Sequence, residues 1–255
     1  MTDASPVVGD REAPRARPGL GRRFLALGAG ESIARLCTFA LTVYLARALS
    51  PALYGIIGVA MGVMLYLTQL ADGGLELVGV PAIARARDRV VEVAAPILAL
   101  RFVFATALTL VVIVVGVAWV PQPDGVILAV SALALLAAGL STRWIHLGLE
   151  QSGSIAAART VGEVIALTVA IALVRDAGDV ARVPLAQFLG ATTTSLIMLV
   201  ALKRQGISIP WRWDPSEAVP LYRRARTLLA FTLLGLLLFN FDLIFLRIVS
   251  GPEVS

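Results

Sequence analysis

The sequence predicts an all-α, polytopic membrane protein, and three observations carry that reading. Apolar residues make up 58% of the 255 and charged residues 15%, whereas a soluble domain carries about a quarter charged residues. Mean hydropathy is +0.85, which excludes a disordered chain and exceeds what a core of its own would absorb. The apolar residues also fall into blocks of about twenty, the length of a helix that crosses a hydrocarbon layer roughly 30 Å thick.

The blocks follow one another in order. Residues 1–21, with Pro6, Pro14 and Pro18 among small and charged residues, read as a disordered tail. The first span, 24–46, carries Glu31 and Arg35; it is too long for a signal-peptide core and is not followed by a small-x-small cleavage site. The second and sixth spans, 52–71 and 183–202, contain no charge at all. The third and fourth, 102–120 and 126–140, flank the turn-forming Pro121-Gln-Pro-Asp124. The fifth, 154–174, carries Arg159 and Glu163, and the seventh, 227–249, carries Asp242 and Arg247. Gly73-Gly74 beside Asp72 and Glu76 is a natural break at the end of the second span. Between the sixth and seventh, 205–222 holds Pro210, Trp211, Trp213, Pro215 and Pro220, which predicts a linker lying along the membrane surface.

The net charge of +5 takes its meaning from where the basic residues sit. With the N-terminus cytoplasmic, fifteen of the 22 fall in the tail and in the loops after spans two, four and six. Only Arg47, Arg175, Arg182 and Arg247 fall on the far side, and Arg35, Arg101 and Arg159 lie at membrane depth. This bias is a strong positive-inside signal. The basic pI of about 10.1 therefore reports topology and anionic lipid headgroups, not nucleic acid. One cysteine, Cys37, and one histidine, His146, leave no disulfide and no ordinary zinc cage. With no P-loop or other nucleotide site, direct ATP drive and cofactor chemistry have no support.

A faint parallel repeat is present. Arg22-Arg23, a helix, then Arg47, Ser50 and Pro51 are matched by Arg223-Arg224, a helix, then Arg247, Ser250 and Pro252, about two hundred residues later. This divides the chain into a first six-helix lobe over 22–204, the linker 205–222, and the start of a second lobe over 223–255. Only the first helix of that lobe is expected here, so the chain reads as part of a protein about twice as long.

Arg35-Leu-Cys-Thr-Phe with Tyr44-Leu-Ala-Arg-Ala-Leu-Ser-Pro-Ala-Leu-Tyr-Gly55, Asp72-Gly-Gly-Leu75, Trp144 to Gln151 and Asn240-Phe-Asp-Leu-Ile-Phe-Leu are family-like motifs. Together they resemble the N-terminal portion of the polysaccharide biosynthesis transporters, the Wzx-type flippases of the multidrug/oligosaccharidyl-lipid/polysaccharide exporter superfamily. The resemblance implies two six-helix lobes around a central cavity, in the inner membrane of a bacterium. It further implies alternating access that moves a lipid-diphosphate-linked oligosaccharide to the outer leaflet. Other polysaccharide assembly proteins are expected partners, and no enzymatic step is expected. A drug/cation antiporter of the same superfamily and a non-transporting scaffold of a polysaccharide synthase are the alternatives; a membrane-embedded glycosyltransferase lacks the extramembrane loop it would need.

Charges within the spans are the candidate site, because a charge at membrane depth needs a cavity or a partner. Glu31 and Arg35, and Arg159 and Glu163, are each spaced for a pair on one helix. Counted from the basic ends, Glu31 and Arg35 lie about 11 and about 17 Å deep, Arg101 about 12 Å, and Arg159 and Glu163 about 8 and about 14 Å. Arg35, Arg101 and Arg159 are therefore the expected substrate-binding residues, since guanidinium groups grip diphosphate oxygens and stay charged when desolvated. Glu31, Glu163 and Asp242 are expected to pair with them or to couple transport to an ion. Interfacial anchoring is expected of His146, and close helix packing of the Gly58/Gly62 pair.

Overall fold

The computed structural model describes residues 20–211 and 215–239. Among these the chain is helical throughout its regular structure and contains no strand. Ten α-helices follow in order: α1 Leu20–Ala48, α2 Pro51–Asp72, α3 Leu75–Arg85, α4 Val90–Ala118, α5 Asp124–Ser131, α6 Leu133–Gly139, α7 Arg143–Gly148, α8 Ser152–Leu173, α9 Arg182–Arg204 and α10 Pro215–Phe239. Five stretches among the described residues are long and apolar enough to cross a membrane: α2, α4, the column Asp124–Gly148 formed by α5 to α7, α8 and α9. The chain is thus an all-α polytopic membrane protein. Of the other two expected spans, the first lies within α1 and the seventh overlaps α10 as far as residue 239, its remainder lying outside the described residues; α1 and α10 are 29 and 25 residues long, are interrupted by charge and fall outside those five.

Local chemistry sets the boundaries. Ser50 caps α2, its hydroxyl accepting from Leu53 N, and Pro51 supplies the first helical residue with its φ already fixed. The helix stops at Gly73, which is left-handed at φ 63°, and Gly74 follows at φ 76°. The chain then re-enters a helix as α3, in a stretch read from the sequence as loop. α4 likewise begins at Val90, twelve residues before the expected start of the third span. Its first turns, Val-Val-Glu-Val-Ala-Ala-Pro, are apolar apart from Glu92, and Pro96 lies within the second turn. α10 starts at Pro215, inside the stretch expected as linker, again with proline at the first helical position.

Two cores hold the bundle, one at each end. The first joins Leu41 and Leu45 of α1, and Leu49 just beyond it, to Ile57, Ile127, Val174 and Val183. The second packs Leu75, Ile83, Ile97, Leu100 and Trp144 with Leu202 and Ala225. α8 and α9 run antiparallel and touch backbone to backbone at Gly162 and Gly190, where an added Cβ on either would lie 2.6 Å from the other's carbonyl oxygen. α1 runs parallel to α8, with Gly30 against Ala156. Gly58 and Gly62, expected to pack a neighbouring helix closely, instead face outward with nothing within 4 Å of a Cβ built on them. His146, expected at the membrane interface, is fully buried, its ring nitrogens 2.8 Å from Gln151 Oε1 and 3.0 Å from Met198 O.

Candidate functional site

Small residues bring α1 and α8 together, and that approach decides which charges meet. Thr160 Oγ1 donates to Gly30 O at 3.0 Å, fixing the two helices in register. Arg159, one residue earlier on α8, then faces Glu31 across the seam. Its Nη1 lies 3.0 Å from both Glu31 oxygens. Arg35 Nε donates to Glu31 Oε1 at 3.2 Å from one turn along α1. One carboxylate therefore serves two guanidinium groups, and the trio carries one positive charge in excess. All three are open on one side, with side-chain exposures of 77% for Arg35, 35% for Glu31 and 46% for Arg159. Arg35 Nη1 and Nη2 and Arg159 Nε and Nη2 bond no protein group among the described residues, so most of the two forks' hydrogen-bond capacity faces outward.

The spacing of Arg159 and Glu163 had implied a pair on one helix. The structure replaces it: Arg159 is drawn to Glu31, and Glu163 has no ion-pair partner among the described residues. Its Oε2 lies 3.2 Å from Thr38 Oγ1 on α1. The carboxylate borders a cavity of about 290 Å³ between α1, α2, α8 and α9, whose other polar groups come from Thr42, Tyr54, Gln187 and Thr194. Gln187 and Met61 border a second hollow of about 290 Å³ further along α2, so the two form one groove.

Arg101, expected beside Arg35 and Arg159, is held elsewhere. It is buried on α4, its Nη1 3.2 Å from Asp72 Oδ1 at the end of α2, and the side chains are only 7% and 13% exposed. Its Nη2 reaches Ala138 O at 3.4 Å. The reason is α4's early start. Arg101 lies eleven residues into the helix and about 26 Å from its far end, level with the α2–α3 break. No i±4 spacing could reveal Asp72 as its partner, because the two are 29 residues apart on different helices. A second crossing pair, Arg143 Nη1 to Glu76 Oε1 at 3.0 Å, ties α7 to α3 nearby. Asp242 and its neighbour Asn240 lie outside the described residues.

The arginine-rich charge cluster thus faces outward from a bundle of apolar helices. The family described as polysaccharide biosynthesis protein matches residues 20–255. The chain belongs to the polysaccharide biosynthesis protein family. No curated protein and no solved structure matches it. Members of the polysaccharide biosynthesis protein family are membrane transporters or flippases of polysaccharide precursors rather than enzymes. The apolar helices of this member make it a multi-pass membrane protein. In this chain the Arg–Glu–Arg cluster is exposed and the Arg–Asp pair is buried.

Proposed function

We propose that this chain takes part in flipping a lipid-diphosphate-linked oligosaccharide or polysaccharide precursor from the inner to the outer leaflet by alternating access. It sits in a bacterial inner membrane with its N-terminus cytoplasmic. In this reading residues 22–204 form one lobe and 223–255 begin a second that faces it. The observation that carries the reading is the Glu31–Arg35–Arg159 cluster: an excess positive charge on the open side of α1 and α8, with unspent guanidinium donors. A diphosphate offers several acceptor oxygens, and each charge-assisted bond to arginine contributes about 1.5–3 kcal/mol. Arg35 and Arg159 are the proposed diphosphate contacts. Arg101 is assigned to holding α2, α4 and α6 together, because its guanidinium is turned inward against Asp72 and Ala138.

Binding of farnesyl diphosphate to the chain in lipid nanodiscs tests this directly. The double variant Arg35→Ala/Arg159→Ala is expected to weaken binding at least tenfold, with an unchanged helical spectrum. Equal affinity in the folded variant would remove the cluster from substrate recognition.

Glu163 favours one addition. A carboxylate facing a partly polar cavity, without a cation partner among the described residues, is suited to exchange a proton or a small cation during the cycle. The reading predicts that Glu163→Gln keeps diphosphate binding within about twofold of the parent while flipping stops responding to an imposed pH or sodium gradient. Retained gradient dependence would return Glu163 to a structural role.

A further inference from the structure

The break between α2 and α3 is also where α10 meets the rest of the bundle. Gly74 is the contact point: a Cβ added there would lie 2.6 Å from Ala225 O and 2.8 Å from Leu229 N, so α10 rests on bare backbone. Its left-handed φ of 76° makes glycine doubly necessary. Two aromatic contacts join α4 to α10 and to Trp211 before it, the first beside Gly73. Phe104 stands edge-on to Tyr222 with ring centroids 5.4 Å apart, and Phe102 to Trp211 at 5.1 Å. Two residues before Gly74 is Asp72, and one turn before Phe104 is Arg101. The buried ion pair therefore adjoins the seat.

That pair is close but poorly bonded. Asp72 Oδ1 and Arg101 Nε and Nη1 are shielded from solvent, and none makes a directed hydrogen bond to a protein group among the described residues. What the two side chains do make is long: Arg101 Nη2 to Ala138 O at 3.4 Å, and Glu76 N to Asp72 Oδ2 at 3.3 Å. A desolvated ion pair recovers its dehydration cost only when its remaining donors and acceptors are satisfied. This one is not, so burying it opposes whatever buries it.

We propose that the Gly73-Gly74 break is a sprung seat for α10: glycine lets the helix dock, and the under-bonded Asp72–Arg101 pair keeps the docked state metastable. When α10 lifts, water reaches the pair and completes its bonds; when α10 returns, the aromatic and backbone contacts of the seat offset the dehydration. The two positions lie close in free energy, as a moving element requires. If α10 leads a second lobe, the seat is one of the points about which the lobes part, whatever substrate passes between them.

The test uses the 255-residue chain in lipid nanodiscs, with Cys37→Ser and Ala225→Cys, so that a water-soluble maleimide labels a position fully buried when α10 is seated. Neutralising the pair with Asp72→Asn/Arg101→Met is expected to slow labelling at least tenfold. Gly74→Ala is expected to speed it at least tenfold by pushing α10 off its seat. Asp72→Asn/Arg101→Gln, closer in shape, carries the same expectation and serves where the methionine variant does not fold. Labelling at the parent rate or faster in the neutral variant would show that the pair clamps α10 or does nothing to it, and an unchanged rate in Gly74→Ala would remove the seat; either result overturns the proposal. Farnesyl diphosphate binding, measured on the same variants, should stay at the parent value and so keeps this outcome separate from that of the Arg35–Arg159 site.

Discussion

The open face formed by α1, α2 and α8 and the sealed core of α3, α4, α7 and α10 treat the same residue types in opposite ways. On the open face two arginines share Glu31, remain largely exposed, and leave a net positive charge. Against the sealed core Arg101 of α4 meets Asp72 from the end of α2, and both are almost fully buried, unlike the more exposed Arg143–Glu76 pair at its rim. The glycines divide in the same way. Gly55, Gly58 and Gly62 face open space, whereas Gly79 lies against the Trp144 ring and Gly148 against Ile83. Arg35 and Arg159 on the open face keep unbonded donors among the described residues, while Arg101 in the core is turned against Asp72. Charge at membrane depth is therefore informative only once its partner is known.

The largest expected effect separates the two regions by function. On the proposed function, Arg35→Ala/Arg159→Ala should lower precursor translocation by about a hundredfold or more, from two lost charge-assisted contacts at about 1.5–3 kcal/mol each. Fold stability should change by less than about 1 kcal/mol, as for other exposed ion pairs. Leaflet-specific labelling of the lipid-linked glycan measures the first and thermal unfolding the second. A folded variant that still exports at the parent rate would erase the distinction between the regions.

Arg101→Ala should behave in reverse. It strands Asp72 without its counter-charge in a nearly dry site, a change that costs about 3–5 kcal/mol. The apparent unfolding temperature should fall well below that of Arg35→Ala, and the protein that remains folded should bind farnesyl diphosphate normally. Weakened binding without lost stability would instead place Arg101 among the substrate contacts, alongside Arg35 and Arg159.

Much of the fold was legible because hydrophobic length is a local property. The uncharged blocks 52–71 and 183–202 lie within one residue of α2 and within two of α9 at either end. What failed was the use of charges as boundaries. The uncharged run places the start of the third span at 102, yet α4 begins at Val90 and carries Arg101 within it, where Asp72 neutralises it from another helix. α3 was missed because eleven residues with Pro81 inside do not make a span; its burial against α7 and α10 makes it a helix nonetheless. The site was legible in residue identity and not in pairing. Spacing along one helix joined Arg159 to Glu163, whereas the parallel packing of α8 on α1 at Gly30 and Ala156 joins Arg159 to Glu31. His146 was read by its place near a span end, and only the fold shows that Met198 and Gln151 receive it in the interior.

The smallest effects sharpen the comparison at the level of single methyl groups. Gly79→Ala would put a Cβ 2.6 Å from Trp144 Cε3 and 2.7 Å from its Cζ3. The indole is fully buried and cannot swing clear, so overpacking should cost about 1–3 kcal/mol. Gly58→Ala meets nothing within 4 Å, and alanine is the better helix former by about 0.8–1 kcal/mol. The second substitution should therefore leave the unfolding temperature unchanged or raise it slightly, while the first lowers it. Parallel thermal melts of the two variants read the contrast. Should Gly58→Ala preserve stability yet slow transport, the open glycine face of α2 is a surface that something approaches during the cycle, and its emptiness belongs to function. Should it do neither, the open face matters through its charges alone, and Glu31, Arg35 and Arg159 carry the whole difference between the two regions.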